Sequence, residues 1–287
     1  MTKARKSRAK GIALAELMVA LALGVALVLV ATTLHARIIR LSSDAARLAE
    51  AQDALRIALA VLDHDVRHAG FWGLVPAAGQ VAGRTDDPAA AAIPVGNDCG
   101  PRWATDLSRH VEAFGGPWPL DCAPTGGVQP GTSVLVLRRA AVTAGVAEAG
   151  VLQLASDRWA GRLAADGTGL PGAGPEVEVR DLVARAYYVS PRSTADPGRP
   201  SLRRKTLQRG PRVVDEEVVQ GIAALAVLLG VDEDAPGTPG HGIPDRFVAP
   251  GAAAGGEVVA LRLRLVAEGP EALTAWRTIR LQEPAPW

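Results

Sequence analysis

This chain of 287 residues has few cysteines and histidines, two residue types that many catalytic and metal sites use. It contains two cysteines, Cys99 and Cys122, and five histidines. Neither the C-x-x-C spacing of a redox motif nor the paired cysteines of a zinc site occurs. A nucleophile elbow, a phosphate-binding loop and an H-E-x-x-H helix are also missing from the sequence. The sequence therefore predicts no enzymatic activity and no cofactor.

Acidic residues are absent from the first 15 positions, where five basic residues lie: Lys3, Arg5, Lys6, Arg8 and Lys10. Without those five, the 31 basic residues fall to 26 against 30 acidic ones, a net charge of −4 for the rest of the chain. General nucleic-acid binding favours a basic surface. The sequence therefore predicts no nucleic-acid partner.

Charge is almost absent from Ile12 to Leu34, an apolar run in which Glu16 is the only charged residue. About 20 apolar residues span the bilayer core, and basic residues before such a run keep the N-terminus cytoplasmic. A secretory signal peptide or a plain membrane anchor explains the apolar run, but neither explains the acid. An isolated acid in lipid is costly, so Glu16 is a candidate functional residue.

Apolar residues continue beyond the run with steps of four and three, with Gln52 at the one place that is not apolar. They form one stripe on a helix: Leu34, Ile38, Leu41, Ala45, Leu48, Leu55, Leu59, Leu62 and Val66. Proline is absent until Pro76. The pattern predicts one helix from Ile12 to Ala69, with Ala69-Gly70 as its stop. Its first half would face lipid or a helix bundle, and its second half would bury one face. A signal anchor followed by a coiled coil is the alternative.

After Trp72 the sequence changes to short apolar runs between turns that are rich in proline and glycine. The predicted strands are 133–138, 151–154, 177–189, 212–219, 222–229, 258–266 and 274–281. In one of them Leu261, Leu263 and Leu265 alternate with two arginines, as in a half-buried strand. We expect an α+β fold, with the long helix packed on an antiparallel sheet that carries large loops.

The two cysteines lie in surroundings rich in proline and glycine, well beyond the apolar run. An N-terminal export signal would place Cys99 and Cys122 in an oxidising compartment. The sequence favours a disulfide between them over two unpaired thiols.

The stretch from Lys10 to Glu16 reads K-G-I-A-L-A-E and resembles the processing site of type IV prepilins and type II secretion pseudopilins. The resemblance implies that prepilin peptidase cuts after Gly11, that Ile12 becomes the methylated N-terminal residue, and that Glu16 is the assembly carboxylate. The new amine at Ile12 can pair with Glu16 of its own chain or of a neighbour. Neither charge then stays uncompensated in a low-dielectric bundle.

The end of the predicted helix resembles the PilW-type minor pilins, in a motif formed by Asp65, Arg67, Ala69, Gly70, Phe71, Trp72 and Gly73. Residues 219–232, 242–247 and 258–266 resemble later segments of the same family, in the expected order. The resemblance implies four regions. These are a basic leader (1–11), a transmembrane half of the helix that enters the filament core (12–34), an amphipathic half (35–70), and a periplasmic or extracellular β-rich domain (71–287).

The PilW resemblance implies a minor pilin that assembles with other minor pilins and the major pilin. Such a protein initiates the type IV pilus and sits at or near its tip. Before assembly it would span the inner membrane and contact its lipid, with the C-terminal domain in the periplasm. Two alternatives stay open: a J-type minor pseudopilin of type II secretion, and a membrane-anchored binding protein or adhesin.

Two further groups of side chains have the composition of metal sites. Asp232, Asp234 and Asp245 resemble an acidic turn of the family that would hold calcium. Their wide spacing along the chain favours a solvated turn without metal. His64 and His68 have the i, i+4 spacing of a zinc half-site, but no third ligand is evident.

Overall fold

The computed structural model describes residues 12–87, 93–169, 176–252, 256–269 and 272–281. The chain forms two units, Met1–Glu50 and Ala51–Trp287, and each is described by itself.

A single α-helix, α1, runs over Ile12–Arg67. Alanine and leucine, which have high helix propensity, are frequent in α1. Proline is absent, so no residue of the helix lacks the backbone N–H that its hydrogen bonds need. The predicted helix is confirmed, and it ends at Arg67 rather than at Ala69. The chain turns away at Gly70, which adopts a φ of +80°, a conformation in which glycine commonly ends helices.

In the first unit, the side chains of α1 that the structure describes are exposed, including Leu14, Met18, Leu23 and Val28. This part of α1 is long and apolar enough, by length and composition, to cross a membrane. A helix that is apolar all round needs lipid or other apolar helices around it.

Among the described residues, the second unit combines the end of α1 with twelve strands. They are β1 (Val81–Ala82), β2 (Val111–Gly115), β3 (Ser133–Ala140), β4 (Ala149–Ser156), β5 (Gly161–Asp166), β6 (Glu178–Ser190), β7 (Ser201–Gln208), β8 (Arg212–Gln220), β9 (Ile222–Asp232), β10 (Arg246–Val248), β11 (Glu257–Ala267) and β12 (Thr274–Arg280).

The strands form two sheets. The larger has eight strands in the order β1-β5-β4-β6-β3-β2, and β7 extends it from β6 to β8. The smaller has four strands in the order β10-β9-β11-β12. All of these pairs are antiparallel except β1 with β5. The prediction of an antiparallel α+β fold is confirmed, although the strands form two sheets instead of one.

The main core lies where the end of α1 meets the inner faces of both sheets. The helix contributes Ala54, Leu55, Ala58, Leu62 and Val66, which are all buried. The sheets contribute, among others, Leu135, Leu202, Ile222, Leu225, Leu261, Leu263 and Leu265. Burying each large aliphatic side chain contributes about 1.5–3 kcal/mol, so the predicted stripe on α1 holds the helix end to the sheets.

The sequence prediction missed several strands. β2, β5, β7 and the three-residue β10 were not predicted, and the two-residue β1 was also missed. β7 reads S-L-R-R-K-T-L-Q, and its basic centre hides the usual apolar alternation. Its partner β8 carries acids at the paired positions, with Arg203 opposite Glu217, Arg204 opposite Glu216 and Lys205 opposite Asp215. Opposite charges across the pair stabilise it in place of apolar contacts.

Candidate functional site

Two of the three residues predicted for processing and charge pairing, Ile12 and Glu16, lie at the start of α1. Gly11, the residue before the predicted cut, lies outside the described residues. Ile12 is the first residue of α1, and Glu16 follows one turn later with its side chain exposed. Residues four apart on a helix are neighbours. A carboxylate at Glu16 is therefore within reach of a charged group at the start of the helix.

The predicted family motif begins with Asp65, which the structure buries at the end of α1. Its side chain is 1% exposed. Arg139 on β3 donates a hydrogen bond to Asp65 over 2.9 Å, and Arg185 on β6 donates over 2.6 and 2.8 Å. The Tyr187 hydroxyl also donates to this carboxylate. One helix carboxylate thus joins α1 to two neighbouring strands.

The electrostatics of this cluster favour the charged form of Asp65. Burial raises the pKa of this carboxyl, but the charge of Arg185 and the hydrogen bonds from Tyr187 and Arg185 outweigh burial and lower the pKa overall. Burial and the neighbouring Asp65 charge raise the pKa of Tyr187. Asp65 is therefore ionised, and Tyr187 is a neutral donor, at neutral pH.

The glycines of the motif allow the chain to pass close to the larger sheet. A side chain at Gly70 would meet the ring of His110 at 2.9 Å, and one at Gly73 would meet Ser156 Oγ at 2.9 Å. Both glycines have positive φ angles. The backbone N–H of Gly70 donates to the carbonyl of Arg138 over 3.0 Å. Glycine is required at these two places by conformation and by space.

The apolar residues of the motif pack into two different cores. Ala69 is fully buried, and Trp72 is 4% exposed in a second core with Leu154, Leu163 and Leu182. The guanidinium of Arg180 lies 5.2 Å from the Phe71 ring centroid. The segment 65–73 therefore fastens the end of α1 to the larger sheet.

The remaining predicted residues near the helix end lie closer to the surface. Arg67 donates to Asp63 over 2.6 Å, and Asp63 also accepts a bond from Arg277 on β12 over 3.0 Å. These hydrogen bonds lower the pKa of Asp63. His68 Nδ1 lies 2.7 Å from the carbonyl oxygen of His64. One ring nitrogen of this histidine pair therefore contacts the backbone at the C-terminal end of α1.

Sequence reasoning missed a second buried charge cluster on β6, β7 and β8. Tyr188 donates to Asp215 over 2.6 Å, Arg203 donates over 2.8 Å, and Lys205 Nζ lies 3.0 Å away. Burial raises the pKa of Asp215, but these three hydrogen bonds outweigh burial and lower the pKa overall. The complementary R-R-K of β7 and D-E-E of β8 were the available signal.

Cys99 and Cys122 form a disulfide in the loops that cover the outer side of β3 and β6. Cys99 is 1% exposed and packs in a cluster with Trp103, Val134 and Tyr188. The Asp98 carboxylate accepts the N–H groups of Cys99 over 3.0 Å and Ala104 over 3.2 Å. The disulfide therefore lies within an ordered loop core.

Replacing both Cys99 and Cys122 by serine is expected to lower the free energy of unfolding by about 3 kcal/mol, because the bond closes a loop of 23 residues in the unfolded chain. Thermal unfolding of the full-length protein in detergent, with and without reductant, measures the change. Reductant should destabilise the wild type and leave the double variant unaffected. Equal stability of both proteins would contradict the prediction.

The structure corrects one expectation for the acidic turn. The wide spacing along the chain does not keep Asp232, Asp234 and Asp245 apart, because a carboxylate oxygen from each lies within 4.8 Å of the others. Asp232 accepts the N–H groups of Asp234 over 2.9 Å and Gly242 over 2.6 Å. Asp245 accepts the N–H of Glu233 over 2.7 Å. Two of the three carboxylates thus hold the turn that follows β9.

The comparison with known families matches residues 186–283 to the profile of the family described as Type IV Pilus-assembly protein W. The resemblance to the PilW family is confirmed over this region. The match to PilW begins within β6 and includes β7 to β12, so it contains the second charge cluster and the acidic turn. The motif at 65–73 lies outside the matched residues, and its assignment to PilW stays a resemblance.

Two further comparisons were with curated proteins and with solved structures. No curated protein matches the chain significantly. Among solved structures, it is similar to a chain of the GspK-GspI-GspJ complex from the type 2 secretion system of enterotoxigenic Escherichia coli. That similarity has 14% identity and a TM-score of 0.37, and it covers 82% of this chain and 99% of the other.

Proposed function

We propose that this protein is a minor pilin that assembles with other minor pilins, initiates a type IV pilus, and sits at or near the tip. The observation that carries the proposal is the PilW match over residues 186–283. The apolar start of α1 supports it, because a filament core is built from such helices packed side by side. The proposal assigns no enzymatic activity to the chain.

The proposed path begins in the inner membrane. Residues 12–34 would span the bilayer, with the leader 1–11 in the cytoplasm and the domain from residue 71 onward in the periplasm. Prepilin peptidase would cut after Gly11 and Ile12 would be methylated. The amine of Ile12 would then pair with Glu16, either within the subunit or between subunits, as the helix leaves lipid for the filament core.

In this proposal the first part of α1 and the β-rich domain have separate functions. The first part of α1 supplies an apolar surface that is the same on all sides, which gives affinity for other apolar helices but little selectivity. The β-rich domain supplies the selective surface. Residues 65–73 join them, since they fix the end of α1 to the larger sheet through Asp65 and Trp72.

Replacing Gly11 by valine is expected to leave an unprocessed precursor, because a branched side chain blocks the close approach of the peptidase to the backbone before the cut. Mass spectrometry of the N-terminus of protein purified from cells with a type IV pilus system measures the outcome. The wild type should begin with methylated Ile12, and the variant should retain the leader.

Gly24→Val is a matched control, because the same substitution further along α1 leaves the cleavage site unchanged, and a Cβ at Gly24 would point into open space beside the helix. Wild-type protein with an intact Met1, or cut elsewhere as a secretory signal is, would contradict the proposal. Either result would favour a membrane-tethered binding protein instead.

A further inference from the structure

One face of the four-stranded sheet carries arginines and aromatic rings together. The register places Phe247 opposite Gly230, Arg264 opposite Trp276, and Arg280 opposite Ala260. Residues directly opposite each other point to the same side of a sheet. The other side carries the buried Leu261, Leu263 and Ile279. We name the outward set the arginine face: Phe247, Arg262, Arg264, Trp276 and Arg280.

The aromatic rings of this face support the guanidinium groups. The guanidinium carbon of Arg262 lies 3.7 Å from the Phe247 centroid, and Nε of Arg262 donates to Thr278 Oγ1 over 3.3 Å. The guanidinium of Arg264 lies 5.7 Å from the centroid of Trp276, which is 58% exposed. Stacking of this kind leaves the N–H donors at the edge of the guanidinium free for another partner.

The charges of the arginine face have no acidic partner in the described part of the chain. No carboxylate there forms a salt bridge with Arg262, Arg264 or Arg280. By contrast, β7 pairs each of Arg203, Arg204 and Lys205 with an acid of β8. A group of unpaired arginines on a body of net charge −4 complements an anionic partner.

The face is bounded by a strand edge. β12 is the last strand of its sheet, and among the described strands it pairs with β11 alone. A segment added beside β12 would place alternate side chains next to Trp276 and Arg280. The side chains between them would face the inner side, next to Ala275, Ile279 and Arg277, whose charge already pairs with Asp63. A segment in which acidic and apolar residues alternate would place its acids on the arginine face and its apolar side chains on the inner side.

We propose that β12 and the arginine face bind an extended segment of another protein in which acidic and apolar residues alternate. The segment would add a strand to the four-stranded sheet and direct its carboxylates to Arg264 and Arg280. The rival explanation is that these arginines only protect an exposed strand edge from pairing with other copies.

The test uses the full-length protein in detergent and three labelled peptides of equal length, followed by fluorescence anisotropy. A peptide of alternating glutamate and valine should bind, and one of alternating lysine and valine should not. A glutamate–valine peptide in which every backbone nitrogen is methylated keeps the charges and side chains but lacks the N–H groups of a strand. It should bind at least about tenfold more weakly, since it cannot donate the backbone hydrogen bonds of an added strand.

The double variant Arg264→Gln/Arg280→Gln is expected to weaken binding of the glutamate–valine peptide by about tenfold or more, since it removes charge-assisted hydrogen bonds to the carboxylates. The control Arg56→Gln/Arg209→Gln removes the same charge from two exposed sites elsewhere and should bind as the wild type does. Circular dichroism spectra of both variants that match the wild-type spectrum establish that each variant is folded.

Three results would overturn the proposal. Equal binding of the N-methylated peptide would show charge attraction without an added strand. Self-association of the double variant, with no peptide binding by the wild type, would leave edge protection as the role of the arginines. Tighter binding of a labelled oligothymidylate, lost in Trp276→Ala and in the double variant, would assign the face to single-stranded nucleic acid.

Discussion

Replacing Asp65 by asparagine is expected to lower the free energy of unfolding by about 3–5 kcal/mol, the usual effect of removing one partner from a buried ion pair. The carboxylate is 1% exposed and accepts hydrogen bonds from Arg139, Arg185 and Tyr187. The variant leaves two guanidinium groups without a counter-charge. The Nε atoms of both arginines already lack a partner in the described structure, so no spare acceptor is available.

Asp53→Asn is the matched control, because it removes a carboxylate from the same helix at an exposed ion pair with Arg56. Such pairs contribute about 0–1 kcal/mol. Thermal or denaturant unfolding of the full-length proteins in detergent measures both changes. A loss for Asp65→Asn no larger than that of the control would contradict the structural role of the cluster.

The same variant should change how stability depends on pH. The pKa of Asp65 is lower in the folded protein than in the unfolded chain. Its contribution is therefore present above the unfolded pKa of about 3.9 and is lost as the pH falls through the lower folded pKa. The wild type should lose stability steeply in that acidic window, and the asparagine variant should lose less of it there.

Local patterns were sufficient to predict the parts of this fold whose contacts repeat along the sequence. The stripe ending in Leu55, Leu62 and Val66 predicted both the helix and the face that it buries. The alternation of Leu261, Leu263 and Leu265 predicted β11 in the same way. Each of these elements shows its buried side through its own periodicity, and no distant partner is needed to recognise it.

Other parts depend on partners that lie far away in the chain. Asp65 was predicted as a member of a family motif, but its partners Arg185 and Tyr187 lie 120 and 122 residues away. Nothing local marks those two residues as neighbours of a helix. β7 was missed for a related reason. Its basic residues are balanced by the acids of β8, so the strand is recognisable only when the two strands are considered together. The acidic turn shows the same limit, since its fold brings Asp245 back to Asp232.

The two most consequential carboxylates of the chain lie on one helix but in different surroundings. Asp65 finds its cations within the folded domain, on β3 and β6. Glu16 is exposed on an apolar stretch of α1, with no cation among its described neighbours. If Glu16 enters a low-dielectric helix bundle, as proposed, its counter-charge must come from the processed N-terminus or from another subunit.

Replacing Glu16 by alanine is therefore expected to reduce incorporation into pili by about 100-fold or more, while leaving processing intact. The amine at Ile12 would then enter the bundle without its partner, at about 3–5 kcal/mol, and each 1.4 kcal/mol corresponds to a factor of ten. Immunoblots of sheared pili measure incorporation, and N-terminal mass spectrometry of the membrane fraction measures processing. Asp44→Asn is the control, since it removes an exposed acid from α1 beyond the apolar run and should leave incorporation unchanged. Normal incorporation of the Glu16 variant would contradict the pairing of carboxylate and amine, whereas a variant that stays unprocessed would assign Glu16 to recognition by the peptidase.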